Sequence, residues 1–326
     1  MPIIHAFVAA FFPTAIYTLL LWWLDRYEKE PLPLLVAAFL WGALPAILLA
    51  VLFEFVLAAP IDQSSLGPSM RTWVLAPLVE EPIKGLALIA LFSMARHEFD
   101  GPLDGIVYGA LIGFGFSMTE NLLYFLHYPD FDTIFWLRSV IFGMNHAFFT
   151  SMLGLSLGAV RYSRSRQRTF LAIAGGLALA ILFHALHNFV VRYQFTGMLL
   201  SWLIQSSGVI VVLAVAVLAW RHELRWMQEQ LGEEVRNGVI SLDDYAEVTS
   251  SLMRGQRQFT ALLSGGWTHY RQVCRFHYLT TKLAFRKSQV HFDGPQSEES
   301  CRQLRQEIIA LRSVLHREES VLSDAS

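Results

Sequence analysis

The sequence predicts an all-α protein that crosses a membrane several times, and two observations support this. First, 54% of the 326 residues are hydrophobic and only 16% are charged, whereas a soluble domain carries about 25% charged residues. Second, stretches of about 20 apolar residues, the length needed to span a bilayer as a helix, recur along the first two thirds of the chain. We therefore expect a polytopic transmembrane helix bundle with about seven spans, eight being the alternative count.

Seven stretches have the length and composition of spans, and short connections with Gly, Pro or charged residues separate them. They cover residues 3–24, 33–58, 72–95, 104–127, 139–160, 169–191 and 197–220. The first is longer than the apolar part of a typical signal peptide, and no basic segment precedes it. We therefore expect this first stretch to remain in the protein as a span.

The last third of the chain has a different composition. Residues 221–326 hold more than half of the 25 Lys and Arg residues and no apolar stretch of span length. Ser241-Leu-Asp-Asp has the composition of a helix start, and apolar residues at a 3–4 spacing predict an amphipathic helix over 297–322. The expected organisation is a transmembrane domain, 1–220, followed by a soluble helical tail, 221–326.

Basic residues orient the predicted bundle, because Lys and Arg in short loops stay on the cytoplasmic side. One set of loops carries nine of them: Arg26, Lys29, Arg96, Arg161, Arg164, Arg166, Arg168, Arg221 and Arg225. The opposite set carries only Arg71, Arg138 and Arg192. This asymmetry predicts an inner (plasma) membrane protein with its N-terminus outside and its tail in the cytoplasm.

Composition also limits the partners. A formal net charge of −2 gives no indication of nucleic-acid binding, so the lipid bilayer is the first expected partner. Cys274 and Cys301 both lie in the polar tail, so the sequence does not predict a fold held together by disulfides. The oligomeric state is left open by the sequence.

Ionisable and amide residues inside four spans need an explanation, because a charged group there costs about 2.5–3.5 kcal/mol on insertion scales. They are Glu80, Glu81 and Lys84, then Glu120 and Asn121, then Asn145 and His146, then His184, His187 and Asn188. At a helical rise of about 1.5 Å per residue, one group in each span lies roughly 12–15 Å below the outer charge of that span. These four are Glu80, Glu120, His146 and His184. Their shared depth predicts one buried polar cavity, open, if anywhere, to the outside.

Histidines and carboxylates at one level suit a site that activates water. Imidazole and carboxylate oxygens bind zinc and lower the pKa of its bound water, which makes His146, His184 and Glu81 candidate metal ligands. Glu80 or Glu81 is the candidate general base. Asn188 is a candidate hydrogen-bond donor to an oxyanion. Zinc is the expected cofactor, and a metal-free site based on glutamate is the alternative that the sequence leaves open.

Glu120 has two interpretations of equal weight. It is a further candidate catalytic group at the depth of the others. Intramembrane polar residues also join helices by hydrogen bonds, and Glu120 with Asn121 could do only that.

A series of motifs between residues 15 and 190 has the order of a known family. The motifs are Leu24-Asp-Arg-Tyr-Glu-Lys-Glu-Pro31, Ala38-Phe-Leu-Trp-Gly-Ala43, Glu80-Glu-Pro-Ile-Lys84, Asp104-Gly-Ile-Val-Tyr-Gly109, Gly113-Phe-Gly-Phe116, Glu120-Asn-Leu-Leu-Tyr124, Phe142 with His146, and His184 with Asn188. In this order the sequence resembles the PrsW family of bacterial intramembrane proteases. That family belongs to a superfamily that also contains the CAAX prenyl endopeptidases.

The resemblance implies site residues and a substrate class. Glu80, Glu81 and His184 match the catalytic motifs of the family, and His146 matches a further histidine of the superfamily. The implied substrates are membrane-anchored proteins such as anti-sigma factors, cut on the extracytoplasmic side. The tail lies outside the core pattern of the family.

The predicted function is therefore an intramembrane endopeptidase, either metal-dependent or glutamic. A proton- or ion-coupled transporter is an alternative, since chains of Glu and His relay protons in membranes, but we find no inverted repeat of the transporter kind. A second alternative is a non-catalytic scaffold that binds a membrane protein. Single Glu variants distinguish the three functions. They would abolish substrate cleavage by a protease, uptake by a transporter, and neither in a scaffold.

Overall fold

The computed structural model describes residues 2–24, 30–62, 67–95, 98–99, 101–293 and 295–324. Helices dominate these residues, and no strand occurs among them. Contacts divide the described chain into two compact units, residues 2–24 with 30–219 and residues 220–324. The predicted all-α class is confirmed.

Ten helices contribute to the first unit as far as the structure describes it. They are α1 (Ile3–Leu24), α2 (Leu32–Trp41), α3 (Ile47–Asp62), α4 (Gly67–Met70), α5 (Ala76–Met94), α6 (Pro102–His127), α7 (Phe131–Phe135), α8 (Asn145–Ala159), α9 (Arg166–Val190) and α10 (Gln194–Arg236), the last only up to residue 219. Three π-helical turns extend or join them, at Gly42–Ala46, Arg71–Leu75 and Trp136–Ile141. A 3₁₀ turn, Val191–Tyr193, lies between α9 and α10.

Among the residues that the structure describes, five helical stretches are long and apolar enough to cross a membrane. They are Ile3–Trp23, Leu32–Ala58, Pro102–His127, Phe131–Ala159 and Arg166–Arg236. The last contains both α9 and α10, and α5, which carries Glu80, Glu81 and Lys84, is not one of the five. A helical membrane bundle is thus confirmed, while the count of seven spans stays a prediction. The orientation also stays a prediction, because Arg26, Lys29 and Arg96 lie outside the described residues.

The predicted span 139–160 is not one continuous helix. The chain leaves helical geometry over residues 142–144, and α8 begins only at Asn145. A Cβ atom on Gly143 would lie 2.3 Å from the carbonyl oxygen of Ser139, so only glycine permits this tight turn. The break places Asn145 and His146 in the first turn of α8.

Glycines at a spacing of four hold α6 against α8. A Cβ on Gly105 would lie 2.0 Å from the carbonyl oxygen of Gly154, and one on Gly113 would lie 2.3 Å from that of His146. Between them, Gly109 packs on the backbone of Ser151. Such small residues let two membrane helices approach to backbone contact. The backbone of His146 is consequently fixed against the middle of α6.

The outer surface of the first unit is apolar. Large side chains of α1 and α3, such as Phe12, Leu48 and Phe55, are exposed, whereas α1 turns its small residues Ala6 and Ala10 inward. An apolar exterior around buried polar groups is the pattern expected where lipid is the solvent.

The second unit is a separate helical assembly. It contains α10 from residue 220 onward, α11 (Leu242–Val248), α12 (Ser251–Asp293) and α13 (Pro295–Asp324). Ser241 caps α11: its Oγ accepts from the Asp244 backbone N–H at 3.1 Å, which confirms the predicted helix start. The predicted amphipathic helix falls within α13, whose Ile308 and Leu315 are buried in the core of this unit.

Candidate active site

A polar cavity of about 410 Å³ lies within the first unit. The Glu, Arg and His residues that line it come from seven helical elements. They are Glu54, Arg71, Glu80, Glu120, Arg138, His146, His184 and His187. The four groups that the sequence places at one depth, Glu80, Glu120, His146 and His184, all reach this cavity. Such a cavity between apolar helices is where a membrane protein can bring water to ionisable groups.

Helix α5 supplies two carboxylates and one ammonium to the site. Lys84 follows Glu80 by four residues, so the two share a helix face. Lys84 Nζ donates to Glu81 Oε1 at 2.6 Å and lies 3.3 Å from Glu80 Oε2. All three side chains are buried. The sequence predicts that the two carboxylates point apart, but the flexible Lys84 side chain reaches both.

The two carboxylates nevertheless differ in access. Glu80 lines the cavity and Glu81 does not. Glu81 Oε2 also accepts from Thr150 Oγ1 at 3.3 Å, so both of its oxygens are engaged. Glu80 therefore faces the space that a reactant would occupy, while Glu81 lies behind it.

His184 is held by Glu81. Its Nδ1 lies 2.8 Å from Glu81 Oε1, and because a carboxylate only accepts, Nδ1 donates and Nε2 keeps its lone pair. Its ring stacks on Phe149, with centroids 5.0 Å apart. The orientation and tautomer of His184 are thus fixed by α5 and α8 together.

His146 is held between Glu120 and Lys84. Its Nε2 donates to Glu120 Oε2 at 2.9 Å, and its Nδ1 accepts from Lys84 Nζ at 3.2 Å. The rings of His146 and His184 are 5.1 Å apart and nearly perpendicular. Glu120 therefore joins α6 to α8 and also orients an imidazole of the site.

Arg138 is a part of the site that the sequence analysis does not identify. It donates to Glu120 and, through Nε, to Asn121 Oδ1 at 2.9 Å, and its guanidinium lies 3.8 Å from the centre of the Tyr124 ring. In the sequence Arg138 contributes only to the loop charges. Glu54, near the end of the predicted span 33–58, is not identified there either and also reaches the cavity wall.

Asn188 lies on the cavity wall, one turn beyond His184. Its Nδ2 donates to the carbonyl oxygen of Thr72 at 2.9 Å. An amide nitrogen has two hydrogens, so a second N–H remains to donate elsewhere. The neighbouring His187 also lines the cavity, but its contacts differ from those of His184: its Nδ1 lies 2.7 Å from Ser201 Oγ and its ring packs against Phe142.

Four residues of the site could hold a metal ion. Ligand atoms of Glu80, Glu81, His146 and His184 lie within 4.8 Å of one another. Two imidazoles with carboxylates fit zinc by donor type. Lys84 is the competing cation, because its ammonium contacts three of these four side chains. A bound metal would share the carboxylates with Lys84 or displace its ammonium.

Comparisons with known proteins agree with these motifs. The family described as PrsW family intramembrane metalloprotease matches residues 30–220. Protease PrsW of Geobacillus kaustophilus is 33% identical over 148 residues, which cover 45% of this chain and 63% of that protein. The chain therefore matches less than two thirds of that relative. No solved structure matches the chain significantly.

Two further relatives align over a larger share of their length. Protease PrsW of Clostridioides difficile is 25% identical over 211 residues, which cover 64% of this chain and 83% of that protein. Protease PrsW of Bacillus subtilis is 27% identical over 169 residues, or 51% of this chain and 73% of that protein.

Proposed function

Because the chain belongs to the PrsW family, whose model covers residues 30–220, we propose that it is an intramembrane endopeptidase. Its substrate would be a membrane-anchored protein, and the reaction would be hydrolysis of one peptide bond. The observation that carries the proposal is the cavity inside an apolar helix bundle, where Glu80, His146 and His184 converge. A water-accessible site with a base and two oriented imidazoles is what peptide hydrolysis within a membrane requires.

Glu80 is our choice for the base that activates water. It reaches the cavity, and its nearest cation, Lys84, is 3.3 Å away rather than the 2.6 Å found for Glu81. In the proposed reaction a water oxygen bonds to the substrate carbonyl carbon while Glu80 takes the water proton. Glu80 then returns that proton to the leaving amine as the C–N bond breaks.

Glu81 and Glu120 are proposed to position the two histidines. Glu81 fixes His184 through Nδ1, and Glu120, itself held by Arg138, fixes His146 through Nε2. His146, His184 and Glu81 would hold a zinc ion, which when bound would supply a Lewis acid and a more acidic water. Without metal, an imidazole would stabilise developing negative charge only in its protonated form, in which both ring nitrogens donate.

Asn188 is proposed to stabilise the oxyanion that forms on the substrate carbonyl. Its side chain is on the cavity wall, and the Thr72 carbonyl oxygen anchors the amide by one of its N–H groups. An anchored donor is preorganised, which is what makes an oxyanion contact effective.

The substrate and the side of cleavage follow from the resemblance and the charge asymmetry. We propose an anti-sigma factor or a similar membrane-anchored protein, cut near the outer face of the plasma membrane, with the tail in the cytoplasm. The depth of Glu80, His146 and His184 below the outer loop charges supports cleavage in the outer half of the bilayer.

A comparison of protein N-termini across the membrane fraction tests the activity. Wild type should generate at least one new N-terminus within or beside a substrate span, and Glu80→Gln should not. Glu229→Gln, which changes an exposed carboxylate in the tail, is the matched control and should resemble wild type. Identical N-termini from wild type and an inserted Glu80→Gln protein would refute the proposal.

Elemental analysis tests the metal separately. Purified wild type should contain about one zinc per chain if His146, His184 and Glu81 are ligands. His146→Ala and His184→Ala should each lower that content along with cleavage. Full cleavage by a preparation without stoichiometric metal would instead support the glutamate-based alternative.

A further inference from the structure

The second unit contains a helical hairpin that the proposed activity does not use. Helix α12 leaves helical geometry at Gly266, where φ is +67° and ψ is −162°. Gln258 Nε2 lies 3.1 Å from His277 Nδ1, although the two residues are 19 positions apart. Segments 251–265 and 267–293 therefore fold back on each other about Gly266.

The outer face of this hairpin is apolar and exposed. Leu252, Phe259 and Leu263, spaced by seven and four residues, share one helix face and are 70%, 63% and 71% exposed. Trp267, directly after the turn, is 65% exposed and stacks on Tyr270 with centroids 5.1 Å apart. We call Phe259, Leu263 and Trp267 the hairpin tip. A contiguous exposed patch of this kind marks an interaction site.

The basic residues near the tip favour an anionic partner. Residues 251–292 contain seven Lys and Arg and no Asp or Glu, although Arg257, Arg275 and Lys287 pair with carboxylates of other elements. Arg271 lies one turn beyond Trp267 and is exposed. Trp and Leu on one face with basic residues beside them are the composition of helices that lie in the interface of an anionic bilayer. A protein partner would need acidic groups to meet the same surface.

The chain connection between the last predicted span and the second unit also favours a bilayer as the partner. The second unit follows directly on the last predicted span, 197–220, so a bilayer is always within reach of the chain. A tethered contact forms at a high effective concentration and needs little intrinsic affinity. The tip offers only a few large side chains, which suits shallow insertion among headgroups rather than a broad protein interface.

We propose that the hairpin tip docks on the surface of an anionic bilayer, with Phe259, Leu263 and Trp267 inserted at the headgroup level and Arg271 contacting lipid phosphate. This inference is independent of the proteolytic activity.

Site-specific fluorescence in the full chain tests the docking. In a Cys274→Ser, Cys301→Ala background, an environment-sensitive dye is attached at Leu263→Cys, and the protein is reconstituted into phosphatidylglycerol-rich vesicles. The dye should lose most of its emission to a lipid-attached quencher and little to aqueous iodide. A dye at Gln303→Cys, an exposed position on α13, is the matched control and should show the reverse.

The remaining outcomes each decide against the proposal. Iodide quenching at 263 equal to that at 303 would show that the tip is in water. In a parallel sample of unlabelled Leu263→Cys protein, disulfide cross-links between two chains, together with no quenching of the dye by lipid, would show that the tip binds a second copy. Equal lipid quenching in phosphatidylcholine vesicles, unaffected by Arg271→Gln, would remove the requirement for anionic lipid.

Discussion

The two units each bury a group of opposite charges, and the two groups differ in how completely those charges are paired. In the second unit Glu234 is fully buried and accepts from Lys287 at 2.6 Å and from Arg305 by two bonds of 2.9 Å. The exposed Glu233 also accepts from Lys287, at 2.7 Å, so the one buried carboxylate of this group meets two cations. In the first unit Glu80 and Glu81 share the single ammonium of Lys84, and Glu80 faces a cavity.

This difference separates a structural ion group from a functional one. A buried ion pair whose hydrogen bonds are all made contributes little beyond fixing its own geometry. A buried carboxylate that retains accepting capacity toward a cavity is unfavourable for stability unless water, a metal or a substrate meets it. Burial of charge alone therefore does not identify a functional site. The first unit is identified as one because its buried carboxylates outnumber the ammonium that they share.

The largest effect expected from this comparison is at Glu80. Glu80→Gln removes the base and should lower the rate of substrate cleavage by roughly 10²–10⁴-fold. The melting temperature in detergent should change little, because Glu81 still pairs with Lys84 at 2.6 Å. Glu81→Gln should lower both the cleavage rate and the melting temperature, because it leaves the fully buried Lys84 ammonium without its closest partner. Single-turnover cleavage and thermal unfolding of both variants measure the split.

Equal losses of activity and stability in both variants would contradict the assignment. In that case Glu80 and Glu81 would act as one unit around Lys84, and the distinction between a base and a positioning residue would fail.

The next effect is expected at Gly113. A Cβ at this position would lie 2.3 Å from the His146 carbonyl oxygen, so Gly113→Ala must push α8 away from α6. A displacement of about 1 Å at a reacting group can lower a rate about 10²-fold. Gly175→Ala on α9, where a Cβ meets nothing within 4 Å, is the control and should cleave normally. Cleavage by Gly113→Ala at the wild-type rate would show that His146 does not need this packing.

Most of the helices could be predicted because the bilayer imposes a length on apolar segments. The prediction 3–24 coincides with α1, and the prediction 104–127 lies within α6. The interruption before α8 could not be predicted in this way. Gly143 is its only sequence signal, and glycine is common in continuous membrane helices as well.

The site was predictable in part for a similar reason. The helical rise converts sequence position into depth, and this was sufficient to group Glu80, Glu120, His146 and His184. Depth does not tell which side of a helix faces inward, so the sequence does not identify Arg138 and Glu54, both near span ends, as parts of the site. The roles of Glu80 and Glu81 also depended on rotation about α5, which only the structure supplies.

Glu234 tests the structural ion group of the second unit. Glu234→Gln leaves Lys287 and Arg305 without their shared carboxylate and should destabilise the second unit by about 3 kcal/mol, at the lower end of the range because Arg305 is partly exposed. Replacing all three residues by Met should be nearly neutral. Protease resistance of the tail in the full-length protein measures the effect.

Substrate cleavage in isolated membranes should persist in both tail variants, because every candidate site residue precedes position 190. A truncation after Arg225 should likewise retain cleavage. Complete loss of cleavage by an inserted truncate would show that the tail takes part in the reaction.

The smallest effect concerns pH and His277 of the second unit. Burial lowers the pKa of this imidazole, a hydrogen bond to Glu247 raises it, Arg254 lowers it, and the net pKa is below the ordinary 6.5. Folded His277 therefore stays neutral where the unfolded chain takes up a proton, so tail stability should be constant above about pH 6.5 and fall as the pH drops below it. His277→Gln should flatten this slope, whereas His316→Gln, on an exposed imidazole, should not. Protease resistance of the tail measured from about pH 8 to about pH 5 gives the profile, and a tail that becomes more resistant on acidification would reverse the sign and contradict a neutral His277.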